Sequence, residues 1–112
     1  MFIEHYEYQV NPGMWDQWEE FMVEHAVPYQ QSCGMRILGL FWADDDHTRF
    51  VWMRLFDNEE ERVRLYAAVY ESEHWQQKML PEVRRLVVTG SSRTTRLVPF
   101  AGHAALDPEW VG

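Results

Sequence analysis

Cysteine is nearly missing from this chain: Cys33 is the only one in 112 residues. One thiol cannot close an intrachain disulfide, so no covalent frame is available, and such usage fits a reducing compartment, which makes the cytoplasm the expected location. Basic residues are scarce as well. Ten Lys and Arg against 18 Asp and Glu leave a formal net charge of −8. Nucleic acid and anionic membrane surfaces both call for a basic face, so neither is an expected partner. No apolar run approaches the roughly 20 residues of a spanning helix, and the N-terminus lacks a signal-peptide pattern. His5, His25, His47, His74 and His103 form no H-x-x-x-H or H-E-x-x-H spacing, and Asp44-Asp45-Asp46-His47 lacks the glycine and distal glutamate of a calcium loop. That acidic run reads as a solvated hairpin tip, and no metal is expected. Gly90-Ser91-Ser92 is turn chemistry, with neither a phosphate loop nor a nucleophile elbow around it. No cofactor is expected either.

What the chain does have is apolar and aromatic mass, 46% and 15% of its residues, enough for one packed domain. We place this domain at 1–100 and a C-terminal tail without periodicity at 101–112. Phe2–Val10 alternates, with Phe2, Glu4, Tyr6, Tyr8 and Val10 sharing one face of a first strand. From Met14 the period lengthens: Met14, Trp15, Trp18, Phe21, Met22, His25, Ala26 and Tyr29 make the buried stripe of a helix that Pro28 should kink or end. Within that stripe His25 reads as a core histidine. Met35–Ala43 is a second strand, and its mid-strand Gly39 marks a bulge or a close approach. Arg49–Phe56 is a third.

Phe50–Phe56 is apolar on both faces, so it must be covered on both sides. The chain's own helices can cover one side. Little material remains for the other, and a second copy of the chain is the expected cover. Asp57, with Glu60 three residues on, caps a helix that should bury Val63, Tyr66, Ala67 and Tyr70. Ser72 caps a shorter helix that carries Trp75, Met79 and Val83 inward and restarts at Pro81. A last strand lies within Val87–Phe100, its polar middle suited to a sheet edge. The order predicts an α+β, ferredoxin-like βαββαβ fold with a four-stranded antiparallel sheet.

Several residues along this frame carry a family resemblance. Glu4, the Tyr8-x-x-x-Pro12-Gly13 strand end, Gly39, Asp57, Arg62, and Trp75 behind Ser72-Glu73-His74 stand in an order that resembles the NIPSNAP family of the dimeric α/β-barrel superfamily, over roughly Ile3 to Phe100. The chain departs from the family pattern at Tyr6, Trp52 and Arg54, and it lacks the Asp-Pro before Trp75. The resemblance implies a homodimer whose two sheets close into one barrel. It also implies a ligand pocket between sheet and helices, and chemistry of the cofactor-independent monooxygenase kind found among relatives. Fold membership does not by itself settle a reaction.

If the first and third strands are neighbours, as this fold expects, Glu4, Tyr6 and Tyr8 share a face with Trp52, Arg54 and Phe56. One reading is a pocket in which Tyr6, Tyr8, Trp52, Phe56 and Trp75 hold a small hydrophobic or aromatic ligand. Arg54 would stabilise an enolate or carboxylate there, and Glu4 or His74 would move a proton. It predicts that Arg54→Ala abolishes ligand-induced stabilisation and leaves the chain folded. The other reading is a buried Glu4–Arg54 pair wrapped in core aromatics, in a non-enzymatic interaction or structural dimer with a side-chain-filled core. Trp15, Trp18 and Trp75 then serve only as core and dimer wall.

Overall fold

A computed structural model describes residues 1–100, and the tail expected over 101–112 lies outside the described residues. The elements run β1 (Phe2–Gln9), α1 (Trp15–Phe21), α2 (Val27–Ser32), β2 (Arg36–Ala43), β3 (Asp46–Phe56), α3 (Glu59–Tyr70), α4 (Leu80–Leu86) and β4 (Arg93–Leu97). All strand pairs are antiparallel, in the order β2-β3-β1-β4. The predicted α+β arrangement of four strands and helices therefore stands.

Alternation in β1 and β3 builds the helix-facing side of the sheet. Phe2, Glu4, Tyr6 and Tyr8 sit opposite Phe56, Arg54, Trp52 and Phe50. Over this face lie Trp18, Phe21, Met22 and Ala26 of the first helical segment, Leu65 and Val69 of α3, and Trp75, Met79 and Leu86 further on, all buried. The helix expected to kink or end at Pro28 is irregular there and runs on to Ser32. A π-helical turn over Met22–Ala26 widens the backbone just before the proline, whose missing N–H would leave a ladder bond unmade. A second π turn, Trp75–Met79, stands in the same relation to Pro81. After the first π turn Ala26 and Gln30 are the buried positions and Tyr29 is half-buried. His25 is exposed, contrary to the core position expected of it.

The cap of α3 also lies one residue beyond the expected Asp57. Asn58 accepts the Glu61 backbone N–H at 2.8 Å, and Glu61 Oε1 reaches back to the backbone N–H of Asp57 at 3.1 Å. Asp57 instead accepts from Arg36 at 3.0 Å. The buried stripe of α3 is Leu65 and Val69 flanked by half-buried Tyr66 and Tyr70, whereas Val63 is 54% exposed. At the other edge, every residue of β4 is exposed, as its polar sequence foretold. It is tied to α3 by Glu59, which accepts from Arg62 at 2.6 Å and Arg96 at 2.7 Å; those two arginines hold its carboxyl down to about 2.

On the far side of the sheet, Ile3, Val51, Met53 and Leu55 are only half-buried, and Phe41 and Leu97 are exposed. At Gly39 the register with β3 shifts, leaving Leu38 as a bulge. The close approach expected there comes from within the strand: a Cβ on Gly39 would stand 2.7 Å from Phe41 Cζ.

Candidate functional site

The register of β1 against β3 sets Glu4 directly opposite Arg54. Their side chains meet, with Arg54 Nη2 donating to Glu4 Oε1 at 3.1 Å. The pair is buried, at 3% and 0% exposure. The same guanidinium donates to Tyr66 Oη at 2.8 Å, Tyr70 Oη at 2.6 Å and Gln30 Oε1 at 3.0 Å. Tyr66 Oη in turn donates to Glu4 Oε1 at 2.5 Å. The Trp52 ring centroid lies 4.7 Å from Arg54 Cζ, so the cation also rests against an aromatic surface.

Electrostatics follow from this packing. Burial lowers the Arg54 guanidinium, but Tyr70, Tyr66 and Glu4 outweigh it and the group ends above its ordinary range, a permanent cation. Burial raises the Tyr66 and Tyr70 phenols well out of the neutral range, and burial together with Tyr6 does the same for Tyr8. None of these phenols is a proton-transfer group near neutral pH. Within the cluster, Arg54 Nε and Trp52 Nε1 are buried without a partner among the described residues.

The strands thus bring together Glu4, Tyr6, Tyr8, Trp52, Arg54 and Phe56 as foreseen. Trp75 joins them at one remove, buried, with its ring 4.9 Å from Tyr70. His74 does not join. It is exposed, packs on Tyr29 at 4.5 Å, and lines an outer groove of about 540 Å³ with His25, Lys78 and Glu82. Three residues of the cluster, Gln30, Tyr66 and Tyr70, are not among the site residues that the sequence suggests. Gln30 had left a signal, being an amide at the four-residue step after Ala26 on an otherwise apolar stripe.

Space for a ligand lies elsewhere on the same layer. A cleft of about 290 Å³ opens between α1 with its π turn and the β2 edge, lined by Trp18, Glu19, Met22, Val23, Leu40, Phe41, Trp42 and Phe50. Glu4 and Arg54 line neither this cleft nor the outer groove. Its walls are aromatic. Trp18 meets Phe50 edge-on at 5.4 Å, and Phe50 meets Trp42 edge-on at 5.9 Å. Glu19 Oε1 accepts from the indole N–H of Trp15 at 2.6 Å and of Trp42 at 2.7 Å, which fixes one carboxylate at the rim. Val23 and Phe41 are more than half exposed at its mouth. Among the described residues no three His, Cys, Asp or Glu side chains gather as a metal-holding group.

A family model described as NIPSNAP matches residues 3–102. Among solved structures, a NIPSNAP-like domain protein from Burkholderia xenovorans superposes with a TM-score of 0.82 at 19% identity, covering 96% of this chain and 91% of that one. A NIPSNAP family protein from Agrobacterium tumefaciens gives 0.79 at 19% identity over 88% and 92% of the two chains. A protein described as an antibiotic biosynthesis monooxygenase gives 0.67 at 15% identity over 89% and 99%. At such identities these likenesses speak for the fold alone. No curated protein matches in sequence.

Proposed function

The chain belongs to the NIPSNAP family, and from that premise we propose that it is a homodimer, joined through its sheet faces, that binds a small hydrophobic or aromatic ligand. The ligand occupies the cleft between α1 and the β2 edge, and the Glu4–Arg54 cluster serves to lock the sheet to α2 and α3. The observation that carries this reading is the contrast between the two places. The expected polar pocket is filled by Gln30, Tyr66 and Tyr70, while an aromatic-walled space of about 290 Å³ stands beside it. Pockets for small molecules are mostly apolar, with a few placed polar groups, and this cleft has that make-up. The exposed apolar far face of the sheet supports assembly with a second copy.

A second reading rests on Glu19. If the protein oxygenates its ligand without a cofactor, the substrate's own carbanion activating oxygen, a carboxylate at the cleft rim is the group placed to take the proton. Both readings are tested by titrating a naphthalene- or anthrone-type compound into the purified protein. Calorimetric binding is expected for wild type and its loss in Met22→Trp, which fills the cleft. Binding that survives Met22→Trp places the ligand elsewhere. Oxygen uptake with anthrone that disappears in Glu19→Gln identifies the enzyme, whereas binding without uptake leaves a binding protein.

A further inference from the structure

The outer groove of about 540 Å³ plays no part in the proposed function. Both π turns border it, and such turns recur at functional sites. His25 of the first π turn and Glu20 of α1 stand on one wall, and His74 and Lys78 on the other, all four exposed. Its floor is apolar, formed by Phe21 and Met79, each 5% exposed. At one end Arg85 ties the walls together, donating to Gln17 Oε1 and to Glu82 Oε2, both at 2.8 Å. Those three groups answer one another. Glu20 and Lys78 are left over, since neither side chain has a hydrogen bond or ion pair among the described residues.

We infer that this groove is a second small-molecule site, and that it takes a zwitterion with an apolar body, the make-up of a free α-amino acid with an apolar side chain. The groove and the cleft share no lining residue, so the two sites are independent. Charge decides the class. A plain anion would meet Glu20 and the field of a chain at −8, and a plain cation would meet Lys78. A molecule carrying both signs has no net charge to repel and gives each leftover group a partner. Its carboxylate goes to Lys78, with the His74 imidazole one turn earlier on the same wall as a further donor. Its ammonium goes to Glu20, and its body lies on the Phe21 ring and the adaptable Met79 thioether. The volume falls within the roughly 300–1,000 Å³ of small-molecule sites.

The test is calorimetry with three matched probes: phenylalanine, 3-phenylpropanoate, which lacks the ammonium, and 2-phenylethylamine, which lacks the carboxylate. Wild type should bind phenylalanine about fivefold tighter than either of the others. Glu20→Gln should erase the preference over 3-phenylpropanoate, and Lys78→Met the preference over 2-phenylethylamine. Both side chains are exposed, so both variants should fold. Met22→Trp, which fills the cleft, should bind phenylalanine as wild type does. No binding of phenylalanine at millimolar concentration overturns the site, and equal binding of all three probes overturns its zwitterion class. A preference that survives the loss of its charged group overturns the inference as well. Loss of phenylalanine binding in Met22→Trp would move that ligand to the cleft and overturn the groove.

Discussion

Arg54 is buried without contact with solvent, and its charge is met by one carboxylate, two phenols and one amide. Truncating it strands Glu4 as an unpaired buried carboxylate, so Arg54→Met is expected to cost about 3–5 kcal/mol in urea unfolding. A cost below ~1 kcal/mol would mean that the cluster is not what fastens α2 and α3 to the sheet. The folded, ligand-blind Arg54→Ala expected from the sequence is thereby replaced by a destabilised one. The phenols add a pH dependence. Burial holds Tyr66, Tyr70 and Tyr8 above their ordinary range, so the folded chain keeps protons that the unfolded chain releases above its tyrosine pKa of about 10. The unfolding midpoint should be insensitive to these groups at neutral pH and fall as pH rises past ~10. Tyr66→Phe should soften that fall, and an identical alkaline profile in the variant would contradict it. The Glu4–Arg54 pairing was legible from alternation alone. Gln30 was not, because which amide meets a guanidinium depends on helix rotation, and a π turn had altered that rotation.

Elements show where local rules were overruled. Both prolines expected to interrupt helices are preceded by π turns that carry the helix past them. Turn type is invisible in composition, since a π turn depends on which carbonyls the surrounding packing leaves available. The cap of α3 is a closer contest. Asp57 and Asn58 are both good caps, and the tertiary ion pair with Arg36 draws Asp57 away. Asn58→Ala should therefore cost about 1 kcal/mol. Asp57→Ala loses only an ion pair whose side chains are 42% and 56% exposed, so it should cost well under ~1 kcal/mol. Thermal melts of the two variants check the order, and a costlier Asp57→Ala would restore the cap to Asp57. Gly39 shows a rule half-obeyed: the bulge came where a mid-strand glycine pointed, and the approaching group is the ring of Phe41 on the same face of the same strand.

For the molecule as a whole, the proposed dimer accounts for the far side of the sheet. Ile3, Val51, Met53, Leu55, Phe41 and Leu97 stand there without a helix of the described chain over them. Sedimentation at micromolar concentration should give twice the 13.5 kDa chain mass. Met53→Glu, at the centre of that face, should give a monomer with a lowered melting temperature. A wild-type monomer would remove the reason for the apolar face. Sequence by itself determined the strand and helix order, the polar edge at β4, the two-faced apolar β3 and the meeting of Glu4 with Arg54. Those follow from periods of two and 3.6, which the chain carries locally. Only the tertiary structure decided that the polar cluster is filled by Gln30, Tyr66 and Tyr70, that His74 faces an outer groove, and that open space lies beside Trp18. Each depends on the angle at which a helix meets the sheet, and side-chain periodicity does not encode that angle.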